Sequence, residues 1–203
     1  MPVALNSWKS RLMPGTEKLV ENWMEGAHVQ VRLSSSRQTK HGDFRHPRNG
    51  GPAVITLNHD LHPVEFMITF CHELAHYRIW RKYSRKVRPH GAEWKGEFRR
   101  LLAGFLESGI LEPSVARAVF RCYFSRERIG SGICQQLYEA IGKTGASGGA
   151  VRVADVPEGT VFRLRAGRIF IKGPKLRTRY RCIEKTTGRA FTVHPMAEII
   201  QIL

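Results

Sequence analysis

The chain has 203 residues, 42% hydrophobic and 25% charged, enough to bury the core of one domain plus a small appendage. Lys and Arg number 33 against 17 Asp and Glu, a formal net charge of +16, which favours polyanionic partners, either nucleic acid or an anionic membrane surface. No apolar run is long enough to span a bilayer and no secretory h-region opens the chain, so a membrane protein and a secreted one are both excluded at this level and a cytoplasmic, reducing location is expected.

From Ser7 to Glu25, apolar residues Trp8, Leu12, Leu19, Val20, Trp23 and Met24 predict a short turn, broken by Pro14-Gly15, and then a helix. Val29 to Leu33 alternates as a strand. Ser34 to Gly51 is polar and basic, a long loop or a hairpin. Ala53 to Leu57 is a second strand. Leu61 to about Lys82 is the central helix, with Pro63 suited to the first turn and Glu65 complementing the positive end of the dipole. It is apolar around most of its circumference, which predicts burial. The remaining strip carries Glu65, Thr69, His72, Glu73, His76 and Trp80. After the basic stretch Arg81 to Arg88, a helix from Gly91 to Glu107 has the stripe Trp94, Phe98, Leu101, Leu102 and Phe105. Pro113 to Phe124 and Ile133 to Ile141 predict two more helices. Residues 143–150 have the composition of a flexible linker between a domain of residues 1–142 and a module of residues 151–203. In that module Val161 to Arg165, Arg168 to Lys172, Thr178 to Ile183 and Ala190 to Val193 predict a small β-meander or compact barrel. The expected fold class is α+β. Cys71, Cys122, Cys134 and Cys182 form no Cys-x-x-Cys pair and are expected as free thiols.

His72-Glu73-Leu74-Ala75-His76 places two imidazoles four residues apart, on one face of the central helix, where they can share an ion. Zinc suits imidazole nitrogen, and one zinc per chain is expected. Glu73 lies beside the first ligand, where its carboxylate can take a proton from a zinc-bound water as that water attacks a carbonyl. The third ligand is read as His90, in the turn Pro89-His90-Gly91 and four residues before Trp94 on the inward face of the next helix. Its rivals are Glu97 and Glu93, which otherwise become acceptors for imidazole N–H groups. His28, His41, His46, His59, His62 and His194 read as loop or surface residues, with His59 and His62 near the entrance to the site. Tyr77 and Tyr83 are candidates to stabilise an oxyanion, though spacing selects neither.

The five-residue motif, followed by His90-Gly91-x-x-Trp94, resembles the SprT-like, Spartan-type zinc metallopeptidases. Arg37-x-x-Lys40-x-Gly42-Asp43-Phe44 and Ile55-x-Leu57-Asn58 extend the resemblance, which covers roughly Val29 to Leu106. It implies a minimal zincin fold with His72, His76 and His90 as zinc ligands and Glu73 as general base. It also implies proteolysis of proteins associated with or crosslinked to DNA. Many members end in a zinc ribbon with cysteine pairs; here only Cys182 remains, so the module resembles a ribbon that cannot hold a second zinc.

Residues 151–203 carry eleven Lys or Arg against four acids. Alternation groups Arg163 with Arg165, and Arg177 and Arg179 with Arg181; Phe162, Phe170 and Tyr180 fall on the core-facing side. Lys172, Lys175, Arg177, Arg179 and Arg181 are therefore the expected phosphate contacts, together with the basic stretch 81–88. The sequence thus predicts a zinc endopeptidase acting on proteins held at DNA. Two alternatives stand beside it: a nucleic-acid-binding zinc protein without peptidase activity, and a zinc peptidase indifferent to DNA.

Overall fold

In the computed structural model, residues 8–35, 37, 40–48, 50–84, 86–125, 129, 134–143, 151–164, 167–177, 179–195 and 197–203 are described. The chain divides into two compact units, Met1–Ile141 and Gly142–Leu203.

Among the described residues, the first unit holds a three-stranded sheet, β1 (Val29–Ser34), β2 (Gly42–Arg45) and β3 (Ala53–Asn58), and five α-helices, the last of which runs past its boundary. These are α1 (Glu17–Met24), α2 (Pro63–Tyr83), α3 (Ala92–Glu107), α4 (Pro113–Tyr123) and α5 (Gln135–Lys143). β3 is central, parallel to β1 and antiparallel to β2. Its Ala53, Ile55 and Leu57 are fully buried in alternation, the signature of a strand with one face on a core. β2 falls within the stretch read as a loop or hairpin. It has only Phe44 as a large apolar residue, and pairing with β3 rather than local pattern makes it a strand.

α2 starts at a capping box: His62 Nδ1 accepts from the Val64 amide at 3.3 Å, and the Glu65 carboxylate accepts from the His62 amide at 3.2 Å. Pro63 opens the helix, where a missing N–H costs nothing. Phe66, Met67, Phe70, Cys71, Leu74 and Ala75 are all fully buried, because α2 packs on α3 and against β2 and β3. α3 buries Trp94, Phe98, Leu101, Leu102 and Phe105, the stripe expected from its spacing. No helix among the described residues is long and apolar enough to cross a membrane.

Two expectations need correction here. Cys122 at the end of α4 and Cys134 just before α5 are joined by a disulfide, while Cys71 and Cys182 are free and buried. The fold brings the first pair to a Cα separation of 6.1 Å across twelve residues, which no local Cys-x-x-Cys pattern announces. α5 also runs on through Gly142 and Lys143, so the helix claims the first residue of the expected linker; residues 144–150 lie outside the described ones.

The second unit is a five-stranded antiparallel sheet of β4 (Val161–Leu164), β5 (Ile169–Lys175), β6 (Tyr180–Glu184), β7 (Ala190–Val193) and β8 (Ile199–Ile202). Strand order is β7-β6-β5-β4-β8. The first four strands follow the sequence pattern. β8 was not anticipated: it returns to pair with β4 and leaves Ile200 and Ile202 exposed. Val153, Val156, Phe162, Phe170, Cys182, Val193 and Ile199 form the core of this unit. A bulge shifts the β5–β6 register between Lys172 and Lys175, and there a Cβ on Gly173 would stand 2.4 Å from the Arg181 carbonyl. Only glycine allows that approach. Arg165 and Thr178 lie outside the described residues.

Candidate metal centre

α2 carries His72 and His76 one turn apart, so both rings leave the same face of the helix. The third ring arrives from the turn before α3. His90 has φ 59°, a left-handed conformation that reverses the chain and directs its ring back towards α2. The Nε2 atoms meet: His72 to His76 is 3.3 Å, His76 to His90 is 3.0 Å, and His90 to His72 is 3.3 Å. Four tetrahedral ligands about 2.0–2.1 Å from a zinc ion stand roughly 3.3 Å from one another, so the triangle has the size the ion requires. Among the described residues this is the group of three or more His, Cys, Asp or Glu able to hold a metal.

The environment favours neutral, metal-ready imidazoles. Burial, then the neighbouring histidines, lowers the His72 pKa to about 3; burial with His90 and His46 lowers His76 to about 4. Burial lowers His90 as well. Protons therefore do not compete for the three nitrogens at neutral pH. Beneath the rings lies Trp94, 1% exposed, with ring centroids 4.6 Å from His72, 5.1 Å from His76 and 4.6 Å from His90. Phe98 stacks on Trp94 at 5.0 Å and closes the floor.

Glu73 is 7% exposed and lies against β2, where the Phe44 amide donates to its carboxylate. Burial, with the Asp43 charge second, raises its pKa to about 8 against the lowering effect of that amide, Arg37 and Lys40. Glu73 follows His72 in the chain, and a cation held by the imidazoles would favour the ionised form of its carboxyl.

Several sequence readings are redirected by the geometry. Glu97 is neither a ligand nor an imidazole acceptor. Its carboxylate accepts from Arg78 Nη1 at 2.8 Å and Arg100 Nη2 at 2.8 Å, and Arg78 also donates to the Trp23 carbonyl at 2.7 Å. Glu93 is exposed in the first turn of α3. Tyr77 is buried and its hydroxyl accepts from the His28 amide at 2.7 Å, so it serves packing rather than an oxyanion. Tyr83 lines a cleft of about 390 Å³ with Arg78, Lys82, Glu97 and Arg100. His62 is a helix cap, and His59 Nδ1 stands 3.0 Å from the Ser34 carbonyl oxygen. His46, read as a surface residue, is exposed but lies against Phe44 and Trp80, with centroids at 5.0 and 5.5 Å.

In the second unit Lys175, Arg177, Arg179 and Arg181 are exposed at the β5–β6 hairpin, with Arg181 in β6 and the other two arginines in the turn. Lys172 does not join them. It is 6% exposed, its ammonium donates to the Val156 carbonyl, and it lies 3.9 Å from the Tyr180 ring centroid. Alternation in β5 turns it to the core side, on the same face as Phe170 two residues before it. Arg168 is likewise engaged, bonded to Glu184 and lying 4.1 Å from the Phe191 ring centroid.

Residues 11–108 match the model of the SprT-like family. No curated protein matches the chain.

Proposed function

We propose that this chain, which carries a SprT-like family domain over residues 11–108, is a zinc-dependent endopeptidase with Glu73 as its general base. The observation that carries the reading is the meeting of three imidazole Nε2 atoms within 3.0–3.3 Å, one residue in sequence from a buried carboxyl. When bound, zinc supplies Lewis acidity towards a peptide carbonyl and lowers the pKa of water. The chain supplies the rest. His72, His76 and His90 hold the ion as neutral donors. Glu73 takes the proton of the attacking water and returns it to the leaving amine, so one carboxyl serves as base and then as acid. Trp94 and Phe98 keep bulk water from the underside of the rings.

The reading extends to substrates held at DNA. Its support is the net charge of +16 and the exposed cations Lys175, Arg177, Arg179 and Arg181, with Lys82 exposed in the last turn of α2 and Lys86 and Arg88 exposed after it. Lys172 is left out of the phosphate-binding set because its ammonium is spent inside the unit. The test is cleavage of a DNA-binding protein with and without DNA, before and after chelation and zinc return. Zinc-dependent cleavage that DNA stimulates supports the whole reading. Zinc-dependent cleavage unaffected by DNA leaves a peptidase indifferent to it, and DNA binding without cleavage leaves a binding protein.

A further inference from the structure

Glu73 must aim its carboxylate at the point where three imidazoles meet, and a flexible side chain holds such an aim only when its surroundings fix it. Here the surroundings come from β2. The Phe44 amide donates to the carboxylate. Two residues earlier, Gly42 leaves a gap: a Cβ there would stand 2.8 Å from Thr69 Cγ2, 2.9 Å from Glu73 Cγ and 3.1 Å from Glu73 Oε1. Packed carbons do not approach so closely, so the strand lies this near the helix only because residue 42 has no side chain.

β2 pairs with β3 along one side only, with Gly42 opposite Leu57 and Phe44 opposite Ile55. Alternation sends the Asp43 side chain to the face away from Gly42 and Phe44. There a polar network holds it. Asp43 bonds Arg37, accepts from Arg45 Nε at 2.8 Å and pairs with Lys40 at 3.2 Å. Arg37 Nε donates to Asn58 Oδ1 at 2.8 Å, and Asn58, 2% exposed, donates back to the Arg37 and Lys40 carbonyls at 3.0 and 3.1 Å. The edge strand is thus tied to the end of β3 on one face while its other face receives Glu73.

We propose that β2 is the positioning strand for Glu73. Gly42 makes the room, the Phe44 amide holds the carboxylate, and the Arg37–Asp43–Asn58 network keeps the strand in place. The kinetic consequence rests on the peptidase reading; the seat itself does not.

The seat is read by hydrogen exchange of the Phe44 amide, followed by NMR on the full chain. Glu73→Ala removes the acceptor and speeds Phe44 exchange at least about tenfold, while the Ile55 amide of the core strand stays unchanged. Gly42→Ala pushes the carboxylate away and has the same effect. In the zinc-loaded protein Gly42→Ala keeps its zinc and its KM but loses about a hundredfold in kcat, the scale of a misplaced reacting group. Adding Thr69→Ser removes Cγ2 and leaves Glu73 crowded, so the deficit persists. Unchanged Phe44 exchange in Glu73→Ala overturns the proposal, and this measurement stands even where Gly42→Ala does not fold. Recovery of wild-type kcat in the double variant also overturns it, because the crowding would then belong to Thr69. A wild type that cleaves nothing defeats the peptidase reading and leaves the exchange result to decide the seat.

Discussion

The Nε2 atoms of His76 and His90 stand 3.0 Å apart although fourteen residues separate them in the chain. One ring is carried by a helix and the other by a left-handed turn, and these two elements bring them to one point. The protein should therefore take up close to one zinc per chain. His72→Ala, His76→Ala and His90→Ala should each lower zinc affinity by at least about tenfold, and Glu97→Ala should not. Elemental analysis after dialysis against a weak chelator measures it; retention in His90→Ala with loss in Glu97→Ala would contradict the ligand set.

A second expectation follows from Trp94, which touches all three imidazoles with its buried ring. Trp94→Ala should cost about 3–5 kcal/mol of stability through lost packing and a cavity. Because that cavity opens under the ligands, zinc affinity should fall as well. Denaturant unfolding of the chelated protein gives the first number and zinc titration the second. A variant with lost stability and unchanged zinc affinity would show that the floor does not orient the rings.

Glu73 makes a prediction about pH. Its folded pKa is raised from 4.5 to about 8, so the folded chain without metal binds a proton there that the unfolded chain has released. Stability is then unaffected by Glu73 below about pH 4.5, where both states are protonated, and declines as pH rises from there to about 8. Glu73→Gln has no such proton. In the chelated protein it should match the wild type near pH 4.5 and exceed it by about 2–4 kcal/mol at pH 8.5. Unfolding measured across that window checks it, and two parallel curves would mean that Glu73 is not held in a desolvated setting.

The central helix and its two histidines were legible because spacing of four residues and an all-round apolar pattern are local properties. His90 was legible for a related reason: Trp94 and Phe98 declare the inward face of α3, and the turn before it shares that direction. What escaped the sequence depends on distant partners. β2 has one large apolar residue in four and becomes a strand only beside β3. Glu97 looked available until Arg78 and Arg100 took both its oxygens. Cys122 and Cys134 are joined across twelve residues with no local motif to announce it, and Lys172 shares the inward face of Phe170 by alternation, a position its charge disguises.

The basic hairpin predicts the salt dependence of DNA binding. Phosphate contacts release counterions, so affinity should fall steeply with salt and depend little on base sequence. Changing Arg177, Arg179 and Arg181 together to Ala should weaken binding and flatten the log–log salt slope by about three, one for each lost contact. Lys172→Ala should leave the slope unchanged, since its ammonium is bonded to the Val156 carbonyl. Fluorescence anisotropy at several salt concentrations measures both. Equal slopes for the wild type and the triple variant would remove the hairpin from the interface. Tyr180 is half-buried with Lys172 against its ring, so a preference for single strands through stacking on it is not expected.

In the proposed reaction Glu73 transfers a proton beside a zinc ion it does not ligate. The direct measurement is the initial rate of protein-substrate cleavage by wild type and Glu73→Gln, each carrying one zinc per chain. The two proteins should carry equal zinc and fold equally, with a rate lower by about a hundredfold or more in Glu73→Gln. Equal rates at equal zinc content would contradict it.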